Sequence, residues 1–296
     1  MSSRSSRRPA SSQRRSGRSA TAQARPVRRR RVPWIAGVIV IVIAIALVVA
    51  LAGGSNKTSV VRSPAPPALV ATISSLPKSL FDTVGTGTIT ALPKKITAPA
   101  LTAAGTPLVL YIGAEYCPFC AAERWAMVVA LSRFGTFSGL ELTHSASNDV
   151  FPNTQTFSFH GSTYQSKYLR FEAVELKTNQ IGANGNYQTL DTPTAEQQQI
   201  FTTYDAPPYT TTAGSIPFID FGGKYIVNGA TFDPAVLQGK SASDIATALA
   251  QPDNAVAKGV IGAANTLTAA ICALTKNQPA AVCADPVIAS IRTKLG

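Results

Sequence analysis

The sequence predicts an α/β domain displayed behind one N-terminal transmembrane helix. An arginine-rich segment is followed by an uncharged apolar run from Trp34 to Ala52. From about residue 71, short strand-like runs alternate with helical stretches, as in mixed α/β folds. A Cys-x-x-Cys motif at 117–120 lies between a predicted buried strand and a predicted helix. The first observation predicts the membrane anchor, and the other two predict the class of the domain.

The formal net charge of +12 over 296 residues belongs to the N-terminal tail. Residues 1–31 contain 11 arginines and no acidic residue, so the rest of the chain is nearly neutral. A Ser/Arg-rich tail buries no core, and we expect it to be disordered and cytoplasmic. Its expected partner is the anionic lipid headgroup layer. Nucleic acid is a disfavoured partner, because no aromatic residue is interleaved before Trp34.

A transmembrane helix is predicted over residues 32–53. Its uncharged run of 19 residues is long enough to span most of a bilayer core of roughly 30 Å. The arginines before it place its N-terminal end in the cytoplasm. A cleaved signal peptide is the alternative, since Ala50-Leu51-Ala52 matches a small-x-small cleavage site. Both alternatives deliver the rest of the chain to the outer side, so we expect a cell-membrane protein with an extracytoplasmic C-terminal domain.

Residues 54–70, rich in Gly, Ser and Pro, are predicted to be a linker, and residues 71–296 a globular domain. Within the domain, apolar runs bounded by glycine or turn residues predict strands. Capping residues followed by good helix formers predict helices. The predicted strands are 107–113, 140–145, 156–160, 171–177, 216–221 and 224–228. The predicted helices are 121–134, 194–203, 243–249, 254–274 and 285–295, with a loop over 178–192. The clearest element is the hairpin at 216–228, which turns on Gly222-Gly223.

The motif Cys117-Pro118-Phe119-Cys120 carries the candidate chemistry. At a helix N-terminus, free backbone N–H groups and the helix dipole stabilise a thiolate. Such a site lowers the pKa of the first cysteine and makes Cys117 the attacking group. Pro118 suits the first helical turn, where a missing N–H costs nothing. Cys120 lies one turn along, so it can resolve a mixed disulfide on Cys117.

Three other interpretations of the motif remain open. A zinc site would need a second Cys or His pair, which the sequence does not supply, so we expect no metal and no cofactor. An inert structural disulfide would make the domain a non-catalytic binding or structural module. Copper(I) delivery through two thiolates is the third, although Met1 and Met127 are the chain's only methionines.

The order of elements around the motif resembles that of thioredoxin-fold proteins. These proteins place a cis-proline loop opposite the dithiol, followed by a hairpin and a last helix. Ser215-Ile216-Pro217, the Gly222-Gly223 hairpin and the helix at 243 stand in that order. The resemblance implies that Pro217 is the cis-proline. It also implies that Ile216 binds substrate through its backbone, beside Pro118 and Phe119. An ordinary edge-strand proline is the alternative for Pro217.

A narrower resemblance is carried by 111–126 (YIGAEYCPFCAAERWA), 134–137 (FGTF), 204–209 (YDAPPY) and 214–219 (GSIPFI). These runs are similar to the membrane-anchored family numbered 929 among domains of unknown function, over roughly residues 70–295. Two features depart from the thioredoxin pattern. The stretch from Cys120 to Pro217 is long enough to contain an insertion over about 147–213. The strand before the motif has Tyr111 but no carboxylate, which leaves Glu115 as the nearest acid, either in proton transfer or on a solvated face.

Cys272 and Cys283 lie in the Ala-rich region at 254–296, which we interpret as a helical extension. In an oxidising compartment a structural disulfide is expected, and a relay of electrons to Cys117 and Cys120 is the alternative. The leading hypothesis is a membrane-tethered thiol–disulfide oxidoreductase. Its expected partners are cysteine-containing envelope or secreted proteins and a redox partner.

Overall fold

The computed structural model of the chain describes residues 62–296. The predicted tail at 1–31, the membrane segment at 32–53 and the first part of the linker lie outside the described residues. The predictions of topology and localisation therefore stay predictions.

Residues 62–296 form short strands and α-helices of varied length. The strands are β1 (Ser63–Pro64), β2 (Lys94–Lys95), β3 (Thr102–Ala103), β4 (Thr106–Gly113), β5 (Thr136–Ser138), β6 (Glu141–His144), β7 (Gln155–Ser158), β8 (Thr163–Gln165), β9 (Arg170–Glu175), β10 (Lys177–Ile181), β11 (Tyr187–Thr189), β12 (Phe218–Phe221) and β13 (Tyr225–Asn228). The α-helices are α1 (Pro67–Ser74), α2 (Lys78–Val84), α3 (Pro118–Ser132), α4 (Ala195–Tyr204), α5 (Ala242–Leu249), α6 (Ala255–Leu274), α7 (Ala280–Cys283) and α8 (Pro286–Lys294).

A mixed six-stranded sheet lies at the centre, in the order β2-β13-β12-β4-β3, with β9 also paired to β4. The β4–β9 pair is parallel and brings Gly113 opposite Glu175. The pairs β4–β12 and β12–β13 are antiparallel, and the latter is the predicted hairpin. The carboxyl end of β4, where the Cys-x-x-Cys motif follows, is therefore flanked by both β9 and β12.

Both faces of the sheet are covered. Val109 and Tyr111 of β4 lie in the main core, to which α3 and α6 contribute most of the buried helical residues. Leu110 and Ile112 lie on the opposite face, where Phe201 of α4 packs. This alternation is typical of a strand that is buried on both sides. The structure thus has a mixed α/β fold with helices on each face of a mixed sheet.

Helix α6 is the longest helix among the described residues and lies inside the fold. It is long and apolar enough to cross a membrane, but 89% of its most apolar window is buried. It packs closely against the loop after α2: a Cβ at Gly262 would lie 2.3 Å from the Thr86 carbonyl oxygen. Only glycine permits this approach of helix and loop. The region expected to be a C-terminal extension therefore supplies a central core helix.

Several elements differ from the sequence-based expectation. The predicted loop at 178–192 contains a hairpin of β10 and β11. Residues 62–70, expected to be linker, include β1, which pairs with β6, and the start of α1. Helix α5 begins earlier than predicted, because Ser241 forms a capping box with Asp244. The segment expected to contain an insertion supplies β9 to the sheet and α4 to its outer face.

Candidate functional site: a buried dithiol at a helix N-terminus

The Cys-x-x-Cys motif lies where β4 ends and α3 begins. Cys117 is the N-cap of α3, and its sulfur accepts a hydrogen bond from the Cys120 backbone N–H at 3.2 Å. Pro118 is the first helical residue, a position that needs no N–H donor. This arrangement confirms the predicted helix start at the motif. It places the Cys117 sulfur at the positive end of the helix dipole.

The two thiols differ in their environment. Cys117 is 5% exposed and Cys120 is fully buried. A hydrogen bond from the Cys120 thiol and one from its backbone N–H lower the pKa of Cys117, with a smaller contribution from the charge of Arg124. Burial and the neighbouring Cys117 raise the pKa of Cys120 well above its usual range. The pair therefore favours a thiolate on Cys117 and a protonated thiol on Cys120, the division that an attacking and a resolving cysteine require.

The loop before β12 faces this pair. The Ile216–Pro217 peptide bond is cis. The Cys117 thiol donates a hydrogen bond to the Ile216 carbonyl oxygen at 3.6 Å. The Pro217 carbonyl is already used, because it accepts the Gly229 N–H at 2.8 Å. The structure thus brings Cys117, Cys120, Ile216 and Pro217 together.

Aromatic residues from the long segment between the motif and Pro217 border the dithiol. Tyr187 of β11 stacks on Tyr116 with ring centroids 4.2 Å apart. Phe151 meets Phe119 edge to face at 5.8 Å, and Phe119 is 38% exposed. Tyr116, Tyr187 and Lys177 also line an open cleft of about 740 Å³. Tyr116 and Phe119, which are adjacent to the two cysteines, therefore contact the segment 147–213. The sequence did not indicate that this segment contributes to the site.

Buried charges that the sequence did not predict lie beneath the motif. Arg124 of α3 and Glu175 of β9 are both fully buried and form a bidentate ion pair, with Nε–Oε1 at 2.8 Å and Nη2–Oε2 at 2.9 Å. The signal in the sequence was the pair Glu123-Arg124 within an otherwise apolar helix. A charge buried in such a helix must be paired and hydrogen-bonded, because an isolated charge is costly to remove from water.

Glu115 does not lie on a solvated face, which was one of its two expected roles. It is fully buried, and its carboxylate accepts hydrogen bonds from Arg62 Nη1 at 3.1 and 3.2 Å and from Ser158 Oγ at 2.6 Å. Arg62 also pairs with Glu141. Since both oxygens are engaged in this network, the contacts give Glu115 a structural role in anchoring residue 62 to the domain.

A third buried carboxylate connects α3 to the loop after β13. Glu123 accepts hydrogen bonds from the Thr231 N–H at 2.9 Å and from its hydroxyl at 3.0 Å. Burial raises the pKa of Glu123 to about 7, in spite of the lowering effect of these hydrogen bonds. Gly229 in the same loop binds the Pro217 carbonyl. The dithiol helix and the proline loop are therefore linked through Glu123.

The second cysteine pair lies outside this cluster of contacts. Cys272 near the end of α6 and Cys283 of α7 are at disulfide distance, with sulfurs 1.97 Å apart. Both are buried, in agreement with the expected structural disulfide. Within residues 62–296, no group of three or more His, Cys, Asp or Glu side chains is arranged to hold a metal ion.

Residues 93–273, more than half of the chain, match a family model described as a domain of unknown function, DUF929. The match confirms the predicted family, the one numbered 929, over a shorter span than the expected 70–295. It includes the motif, Arg124, Glu175 and the proline loop. No curated protein and no solved structure matches the chain.

Proposed function

We propose that this chain, which belongs to the DUF929 family, is a membrane-tethered, extracytoplasmic thiol–disulfide oxidoreductase with a thioredoxin-like domain. The observation that carries the proposal is the asymmetric dithiol. Cys117 caps α3 and has a lowered pKa, whereas Cys120 is fully buried and has a raised pKa. An inert disulfide has no need of a stabilised thiolate, but thiol–disulfide exchange depends on one.

The arrangement of the elements supports the thioredoxin-like part of the proposal. A buried strand leads into the dithiol helix, and a proline loop opposite the dithiol leads into the hairpin β12–β13. Helix α5 follows the hairpin. The Ile216 carbonyl faces Cys117, so a substrate chain lying on this loop would have its sulfur close to the nucleophile.

The exchange proceeds through a mixed disulfide on Cys117. In one direction, the Cys117 thiolate attacks a substrate disulfide and releases one substrate thiolate. Cys120 then loses its proton, attacks the Cys117 sulfur, and releases the second substrate thiolate. Two electrons pass from the dithiol to the substrate, and the reverse sequence of bond changes oxidises a substrate dithiol.

Trapping of the mixed disulfide tests this function. In full-length Cys120→Ala, the resolving thiol is absent, so substrate proteins should remain bound to Cys117 as adducts that a reducing agent releases. The matched control is Cys117→Ala/Cys120→Ala, which should form none. Absence of adducts, together with a reduction potential of the native pair below about −300 mV, would identify an inert structural disulfide. Copper(I) titration of the reduced protein tests the metal-delivery alternative.

Protease treatment of intact cells tests the proposed location. A tag at the C-terminus of the full-length chain should be removed, whereas a tag at the N-terminus should be protected. Protection of the C-terminal tag would place the dithiol in the reducing cytoplasm and contradict the proposed substrates.

A further inference from the structure

A buried guanidinium is tied to the backbone of the proposed nucleophile. Arg124 lies one helical turn after Cys120, on the same face of α3. Its Nη2 donates to the Ala114 carbonyl at 2.7 Å, and the same carbonyl accepts the Cys117 N–H at 3.2 Å. The Arg124 side chain is completely buried. The cation and the residue that carries the nucleophilic sulfur are thus held by one carbonyl oxygen.

Glu175 fixes the orientation and the charge of this guanidinium. The bidentate pair uses Nε and Nη2 of Arg124, which leaves its Nη1 buried without a hydrogen-bond acceptor among residues 62–296. Burial has the largest single effect on the pKa of Arg124 and lowers it, but Glu175 together with Tyr111 and Cys120 outweighs burial, so the net shift is upward and the guanidinium stays charged. A buried donor without an acceptor is rare and calls for an explanation. An anion that forms during a reaction would supply one.

The other ionisable groups near Arg124 do not provide that anion. The Tyr111 hydroxyl accepts the Arg124 Nε–H at 3.1 Å, and burial raises the pKa of Tyr111 well above its usual range, so it stays neutral. Burial likewise raises the pKa of Cys120. Cys117, in contrast, has a lowered pKa.

We infer that Arg124, held in place by Glu175, is a positioning residue that stabilises the Cys117 thiolate and thereby makes the Cys117–Cys120 disulfide an oxidant of substrate dithiols. This inference rests on the proposed oxidoreductase function and gives that function a direction. A buried cation whose charge favours the Cys117 thiolate stabilises the reduced form, so the disulfide gains electrons more readily.

A substrate dithiol is oxidised in two exchange steps. A substrate thiolate attacks the Cys117 sulfur, the Cys117–Cys120 bond breaks, and Cys120 takes up one proton to become a thiol. The second substrate thiol loses its proton to solvent and attacks the substrate sulfur of the mixed disulfide, which releases Cys117 as a thiolate. The substrate loses two electrons, and the Cys117–Cys120 pair gains them.

The test removes the cation without leaving an unpaired buried carboxylate. Arg124→Met/Glu175→Met deletes both charges, and Arg124→Lys keeps the positive charge. Arg133→Met is the matched control, because Arg133 is also largely buried but caps the opposite end of α3. The proteins are full-length chains purified in detergent, and thermal unfolding establishes that each one is folded. Thiolate absorbance against pH gives the Cys117 pKa, and equilibration in glutathione buffers gives the ratio of dithiol to disulfide.

In the double variant we expect a rise of at least one unit in the pKa of Cys117. The redox equilibrium should move at least tenfold toward the disulfide, which is about 30 mV for a two-electron couple. Arg124→Lys and Arg133→Met should stay within threefold of the unaltered protein. A folded double variant with an unchanged pKa and an unchanged equilibrium would overturn the inference. If the double variant does not fold, Arg124→Gln/Glu175→Gln replaces it. This variant also removes both charges but keeps polar side chains at the two positions.

The direction of transfer is tested with a reduced dithiol peptide. The pre-oxidised protein should convert it to the peptide disulfide, and the equilibrium constant of this exchange should be at least tenfold lower for Arg124→Met/Glu175→Met. A pre-oxidised protein that leaves the peptide reduced would refute the oxidant role. Failure of the proposed function is recognised separately, by the absence of Cys120→Ala adducts. If adducts form but the charge variants change neither the pKa nor the equilibrium, the function stands and the role of Arg124 falls.

Discussion

Replacing Glu123 by glutamine should change how the stability of the protein depends on pH. Burial raises the pKa of Glu123 from 4.5 to about 7 in the folded chain. Between these values the folded state binds the proton of Glu123 more tightly than the unfolded state does. The contribution of Glu123 to the free energy of unfolding is therefore greatest below about pH 4.5 and falls as the pH rises to about 7. A shift of this size corresponds to about 3 kcal/mol, at about 1.4 kcal/mol per pKa unit. Above pH 7 this loss is complete.

Chemical denaturation at pH values from 4.5 to 8 measures the effect. Glu123→Gln can accept the Thr231 N–H but does not titrate, so its stability relative to the unaltered protein should improve by about 3 kcal/mol over this range. Asp205 and Asp220, whose pKa values burial raises to about 6, titrate in both proteins and cancel in the difference. Glu196→Gln on the exposed side of α4 is the control. A stability difference between Glu123→Gln and the unaltered protein that is independent of pH would refute the reasoning.

Three further predictions concern the core. Cys272→Ala/Cys283→Ala should lower the free energy of unfolding by about 3 kcal/mol by the chain-entropy account, a loss that excess reductant should reproduce in the unaltered protein, measured in urea. Gly262→Ala should lower the melting temperature more than Gly259→Ala, because the added Cβ meets a backbone carbonyl at 2.3 Å in the first case and the Phe232 side chain at 2.7 Å in the second; equal losses would contradict this. Trp125→Phe should cost more than about 1 kcal/mol in the same urea assay, since the lost indole N–H donates to a β7 carbonyl at 2.8 Å and the smaller ring leaves a cavity at a fully buried position.

The elements predicted correctly from the sequence are those whose formation depends on residues close together in the chain. The hairpin at Gly222-Gly223 and the helix start at Pro118 each depend on residues adjacent in the chain. The hairpin β10–β11 was predicted to be a loop, because its strands are polar and its turn is rich in Asn and Gly. Polar strands lack the apolar alternation that identifies a half-buried strand. Pairing of β1 with β6 was missed for a different reason, since it joins residues far apart in sequence.

The same distinction applies to the site. Cys117, Cys120 and Pro217 could be named from motif and order, and the structure brings them together. The partners of Arg124 could not be named, because Glu175 reaches it only through the parallel pairing of β9 with β4. Whether a carboxylate near a motif is buried depends on such pairings. Glu115 illustrates this, since its partner Arg62 comes from a segment expected to be linker.

The cost of the charges in α3 favours a reactive dithiol over an inert disulfide. Glu123 and Arg124 are consecutive, fully buried residues one turn after Cys120, and each needs a partner from another element. Well-packed apolar residues in place of a buried ion pair are often as stable or more stable. An inert disulfide within the first turn of α3 would gain nothing from either charge. The charges are accounted for if Arg124 stabilises the Cys117 thiolate and Glu123, through Thr231, holds the loop of Pro217 at the distance that exchange requires.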